Sequence, residues 1–270
     1  MRRAIVLAAV CGLSVSSALA QDWAKEKLSK SPRHGEYVDL RSGRRNLQAF
    51  VAYPETAQKA TTVLVVYEIF GLTDWAKLAV DEFAAAGYIA IAPDFLSGMP
   101  NNGEARRAVS RLPEKQVMAD LDAAFDYARR LPAANGKVVV AGFCWGGGMA
   151  FSYAAHRKDL AAAFVFYGRP PQQPQISDLR CPVYGFYGEK DARITTTVDE
   201  TKKFAENAGK KYETVIYRGA GHGFMRAGEQ PSPTPTGSKV EDEAALERWR
   251  DNVKARNEAW QRIKQILPKV

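Results

Sequence analysis

Three residues far apart in the chain have the types needed for nucleophilic chemistry on a carbonyl. They are Cys144 in Gly142-Phe-Cys-Trp-Gly146, Asp191 in Gly188-Glu-Lys-Asp191, and His222 in Gly221-His-Gly-Phe224. A thiol attacks poorly until it is ionised, and a neighbouring histidine favours the thiolate. Cys144 would attack an ester or lactone carbonyl, and His222 would pass a proton to the leaving oxygen. Asp191 would hold the imidazole in the required tautomer. Water activated by His222 would then hydrolyse the thioester. The oxyanion needs two donors, and the Trp145 backbone N–H just after the nucleophile is one. The Ile69 N–H, in Tyr67-Glu-Ile-Phe-Gly-Leu72, is the other. Glu68 is unusual because a carboxylate closes an otherwise apolar run. It reads either as an exposed strand-end residue or as a partner that holds the thiol proton until substrate arrives.

These side chains need rigid elements to bring them together. The β-branched run 137–141 precedes the Gly-x-Cys-x-Gly turn, and the small-residue segment 149–155 suits a helix after it. That is the layout of a nucleophile elbow, with glycines two before and two after the nucleophile so that strand and helix can pack closely. Asp191 and His222 each follow a strand candidate, at 182–187 and 212–217. Nucleophile, acid and histidine in that chain order, each at a strand C-terminus, is the order of the α/β-hydrolase fold. Further strands are expected at 61–67, 88–92 and 161–167, with an edge hairpin at 36–41 and 46–53 around Ser42-Gly43. Helices are expected at 74–86 (stopped by Gly87), 103–131 (broken at Pro113), 195–208 and 241–267. The pattern predicts an α/β protein with a doubly wound, mostly parallel sheet and helices on both faces, one domain over residues 36–270. Two Pro-rich stretches, 169–174 and 230–237, follow strand ends and are candidates for walls of the site.

Residues 1–20 read differently: Arg2-Arg3, an apolar run and Ala18-Leu-Ala20 form a secretory signal cleaved before Gln21. The expectation is therefore an exported, periplasmic or secreted protein with a polar, loose lead-in over 21–35 and no membrane attachment after cleavage. Net charge is +8 and falls to +6 once Arg2 and Arg3 leave with the signal. The basic residues are interspersed with acidic ones, so no nucleic-acid partner is implied. The mature chain keeps Cys144 and Cys181, and Cys181 reads as a small buried hydrophobe. No paired ligands occur at metal spacing, so no metal is expected. Two competing readings are an exported thiol redox protein cycling through Cys181, and an inactive binding protein on a hydrolase scaffold. A monomer is expected.

Five segments together carry a family resemblance: Glu68-Ile-Phe-Gly71, Pro93-Asp-Phe95, Gly142-Phe-Cys-Trp-Gly-Gly147, Gly188-Glu-Lys-Asp191 and Gly221-His-Gly-Phe224. They resemble the dienelactone hydrolase (carboxymethylenebutenolidase) family over about residues 36–265. The resemblance implies an α/β-hydrolase fold, no metal or organic cofactor, and hydrolysis of an enol-lactone to a keto acid. It implies the Cys144, Asp191 and His222 roles, Glu68 as partner of the thiol, and an oxyanion hole from Ile69 and Trp145. It also implies two arginines holding a substrate carboxylate. Arg226 matches one; Gly98 stands where the other is expected, and Arg106, Arg107 and Arg169 are candidates to replace it. The small-molecule partner is thus an ester or lactone with a preference for a carboxylate through Arg226.

Overall fold

Buried apolar strands set the frame. The computed structural model describes residues 23–99, 103–227, 233 and 235–270; the signal reading of 1–20 and half of the 230–237 stretch lie outside them. Strand β1 (Gly35–Ser42) and β2 (Arg45–Ala52) form the edge hairpin, antiparallel, turning at Gly43 with φ 59°. The inner strands are β3 (Ala60–Val66), β4 (Ile89–Pro93), β5 (Ala134–Phe143), β6 (Ala162–Phe166) and β7 (Val183–Gly188), with β8 (Tyr212–Tyr217) at the far edge. Every residue of β3, β4, β6 and β7 is buried, which is why they read as continuous apolar runs.

The sheet order is β1-β2-β4-β3-β5-β6-β7-β8, parallel from β4 to β8. The chain first moves outward from β3 to β4 through helix α2 (Asp74–Ala85) and then crosses back to β5 through α4 (Glu114–Arg130). Right-handed crossovers running in opposite directions place α2 and α4 on opposite faces. The reversal lies between β3 and β5, and in such sheets the crevice outside the strand C-termini at this point is the usual ligand site. Helix α5 (Trp145–His156) packs beside α4, while α9 (Lys239–Ile266) lies on α2, with Phe83 and Trp260 ring centroids 4.9 Å apart.

Local rules explain most boundaries. Thr73 caps α2 by accepting from the Ala76 N–H at 3.4 Å, and Gly87 stops it at φ 96°. Pro113 separates the short α3 (Ala105–Ser110) from α4. Two differences come from context. The lead-in expected to be loose contains a helix, α1, at residues 23–29. Ala24 is wholly buried, and the segment is tethered where Ser31 Oγ and Arg33 donate to buried Asp81 of α2. The expected helix 195–208 is split into α7 (Ala192–Thr195) and α8 (Val198–Asn207), because Thr195 and Thr197 hydroxyls donate to the carbonyls of Gly188 and Ile194. The stretch after β6 contains an unforeseen short helix, α6 (Gln173–Ser177).

Beneath the catalytic edge, Phe143, Phe166 and Phe186 are register partners on β5, β6 and β7, and their rings stack with centroids 4.6 Å apart. Burying each ring contributes about 1.5–3 kcal/mol, so the floor under the site is rigid.

Candidate active site

Strand register brings the chemistry to one edge. Val66 of β3 pairs with Gly142 of β5, so Glu68 and Cys144, each two residues beyond, emerge side by side at the switch point. Cys144 sits at φ 56°, ψ −116°, the strained elbow between β5 and α5. The flanking glycines are needed for contact: a side chain at Gly142 would strike the Gly146 carbonyl, and one at Gly146 would strike the carbonyls of Val66 and Tyr67. Trp145 opens α5, so its N–H has no carbonyl to meet inside the helix. Ile69 follows β3 and lines the same cleft.

Asp191, three residues past β7, and His222, five past β8, complete the row. The Asp191 carboxylate is buried, and its Oδ2 accepts from His222 Nδ1 at 2.5 Å. His222 Nε2 lies 3.0 Å from Cys144 Sγ. Burial works against a charged imidazole here, but the hydrogen bonds to Asp191 and Cys144 outweigh it and push the His222 pKa up to about 9. A protonated imidazole at this distance is placed to stabilise negative charge on the sulfur. The loop bearing His222 is fixed from α9: Asn252 Oδ1 accepts from the Gly221 N–H at 2.9 Å, and Arg256 Nε donates to the Met225 carbonyl at 3.3 Å. Glu189 Oε2 accepts from the Gly219 N–H at 2.9 Å on the other side.

Glu68 is buried, 3% exposed, rather than an exposed strand-end residue. In this conformation its carboxylate meets the Tyr167 hydroxyl (3.1 Å to Oε1) and Arg226 Nε (3.4 Å to Oε2), while the thiol's partner is His222. Burial raises the Glu68 pKa against the opposing pull of Arg226, Tyr167 and His222. Arg226 also lies over the Phe70 ring, 5.3 Å from its centroid. Tyr167 was not singled out from the sequence. It follows β6 directly, at φ 41°, and packs edge-on to His222 at 5.0 Å and Phe224 at 5.2 Å. The available signal was a tyrosine ending a buried strand, where its hydroxyl needs a partner.

The cleft around Cys144 encloses about 1400 Å³. The Pro-rich stretch after β6 is one wall, through Arg169, Pro170 and Pro171. Of the arginines weighed against Gly98, Arg106 and Arg169 line the cleft, whereas Arg107 pairs with Glu104 at 3.1 Å. Gly98 is exposed at φ 76° and is not part of the lining. Cys181 is buried and, like Cys144, free; desolvation pushes its pKa up to about 12. It lies two residues before β7, at the N-terminal end of that strand, whereas Cys144 follows the C-terminal end of β5.

Comparison with known proteins agrees with this geometry. The model of the dienelactone hydrolase family matches residues 47–270. A protein of Methylorubrum extorquens, provisionally named a carboxymethylenebutenolidase, is 36% identical over 197 residues, covering 66% of this chain and 68% of its own. One from Escherichia coli K12 with the same provisional name is 35% identical over 198 residues, 66% of this chain and 73% of its own. The crystal structure of a provisionally named dienelactone hydrolase from Klebsiella pneumoniae superposes with a TM-score of 0.68 at 29% identity, covering 81% of this chain and 98% of that one. An elbow that presents cysteine at the switch point of this sheet, with the match across five-sixths of the sequence, places the chain in the dienelactone hydrolase family.

Proposed function

We propose that this carboxylic-ester hydrolase of the dienelactone hydrolase type works through Cys144, His222 and Asp191. The single observation that carries the reading is the unbroken chain from Cys144 Sγ to His222 Nε2 (3.0 Å) and from His222 Nδ1 to Asp191 Oδ2 (2.5 Å), opening into a cleft. The sulfur attacks the carbonyl carbon of an ester or lactone, and the carbonyl π pair moves to oxygen. The Trp145 and Ile69 N–H groups receive that oxyanion. Collapse breaks the bond to the leaving oxygen, which takes the proton from His222 Nε2 and leaves a thioester. His222, now neutral, removes a proton from water; hydroxide adds, the C–S bond breaks, and the acid leaves. Asp191 holds the ring and stabilises its charged form throughout.

Arg226 is the group for a substrate carboxylate. A carboxylate arriving there competes with Glu68 for the guanidinium. Residues 1–20 are a signal that exports the protein; an intact mass beginning at Gln21 in a periplasmic or secreted fraction supports this, and a retained Met1 refutes it.

Hydrolysis of dienelactone and of an activated acetate ester by wild type and Cys144→Ala tests the mechanism, with mass spectrometry for an acyl adduct on Cys144. Loss of both activities and of the adduct is expected. Wild-type turnover in the variant overturns the reading.

A further inference from the structure

The rim of the cleft carries charges that the nucleophilic steps leave idle. Arg169 and Arg193 both line it, both are exposed, and they follow the C-terminal ends of adjacent parallel strands, β6 and β7. Among the described residues neither guanidinium has an ion pair or hydrogen bond, and neither does Arg106 on the α3 side. Within the cleft this sets them apart from Arg226, which meets Glu68. Among the described residues the acids in the lining do not balance the rim, because Glu68 and Asp191 are engaged inside and only Glu114 remains.

Unpaired like charges around a concave site with low-dielectric walls concentrate positive potential there. A guanidinium fork also matches a carboxylate geometrically. The wall holding Arg169 is stiff: two consecutive prolines fix the backbone, and the Gln172 N–H donates to Gln175 Oε1 at 3.2 Å. The cleft, at about 1400 Å³, exceeds the ~300–1,000 Å³ usual for a drug-sized ligand, so a small lactone at Cys144 leaves most of it open.

We propose that Arg169 and Arg193 form an anion subsite at the rim, separate from Arg226, that takes the far end of an extended ester or lactone bearing a terminal carboxylate. The subsite rests on the hydrolase reading for its use in turnover, but binding at it does not require turnover.

Two pairs of esters place the charge on either side of the scissile bond. On the acyl side, mono-p-nitrophenyl adipate is compared with p-nitrophenyl hexanoate; on the leaving side, 4-acetoxyphenylacetate is compared with 4-methylphenyl acetate. In at least one pair the wild type should favour the anionic ester by about tenfold in kcat/KM, and Arg169→Gln/Arg193→Gln should bring that ratio close to one. The ratio is internal to each protein, so partial misfolding does not mimic the effect. Rising salt should erode the wild-type preference. Calorimetry on Cys144→Ala gives a readout independent of turnover: adipate should bind about tenfold more tightly than hexanoate, and the double substitution should abolish the difference. A wild type without preference in binding and hydrolysis overturns the subsite, as does a double variant that keeps the preference. A wild type that hydrolyses none of the four esters yet binds adipate through these arginines sinks the hydrolase reading and leaves the subsite standing.

Discussion

Cys144 and Cys181 are the same residue type at opposite ends of one mostly parallel sheet, and their surroundings differ in every respect that governs a thiol. Cys144 sits past the C-terminal edge, half-buried, at a strained φ of 56°, with an imidazole 3.0 Å away. Cys181 sits before the N-terminal edge of β7, buried among hydrophobic side chains, its pKa pushed up to about 12 by desolvation. In a doubly wound sheet, connecting loops at the C-terminal edge surround the site, whereas the N-terminal edge only closes the core. The proposed difference in reactivity is thus a property of the edge, not of the thiol.

The largest expected break in that comparison is Cys144→Ala, which should lower kcat by at least ~10³-fold; steady-state hydrolysis measures it. Asp191→Asn should cost roughly 10²–10⁴-fold, because an amide in place of the carboxylate favours the wrong imidazole tautomer. Iodoacetamide at pH 7 followed by peptide mapping sharpens the contrast. Cys144 should alkylate quickly and Cys181 only after unfolding, and equal rates would erase the distinction.

The pH dependence follows from His222, whose pKa rises from 6.5 to about 9 on folding. The folded state holds the proton more tightly, so this stabilisation is fully present below pH 6.5 and is lost as pH rises through about 9. Thermal melts should show Tm falling over that window in wild type, and falling less in His222→Gln.

A smaller effect is expected from Asn252→Ala, which removes a neutral hydrogen bond worth about 1 kcal/mol to the histidine loop. It should reduce kcat a few-fold, with the cysteine alkylation rate shifting alongside, which a purely structural change elsewhere would not move. Smallest of all, Cys181→Ala should cost about 1 kcal/mol of stability with kcat unchanged.

Much of the site was legible in the chain because its signals are local. Glycine spacing around Cys144 reports a close approach of strand and helix, and Asp191 and His222 each end an apolar run. What could not be read was who meets whom across the molecule. Glu68 was open between an exposed strand end and a place at the thiol; burial excludes the first, and its observed partners, Tyr167 and Arg226, come from 99 and 158 residues along the chain. The lead-in is held by Asp81 of α2, a partner some 48 residues away, so its own polar composition predicted looseness. The split between α7 and α8 depends on threonine hydroxyls finding carbonyls, one of them on β7.

By itself the sequence determined which residues could be nucleophile, base and acid, the order in which they occur, and the alternation of strands and helices that must carry them. Propensity, periodicity and turn chemistry act over a few residues and are therefore written locally. Only the tertiary structure decided that Glu68 is paired with Arg226, that Tyr167 touches both Glu68 and His222, and that Arg169 and Arg193 stand on one rim without a partner among the described residues. Those facts depend on strand register and on helices packed from opposite ends of the chain, and a side chain's charge state and partners are set by neighbours that sequence distance does not reveal.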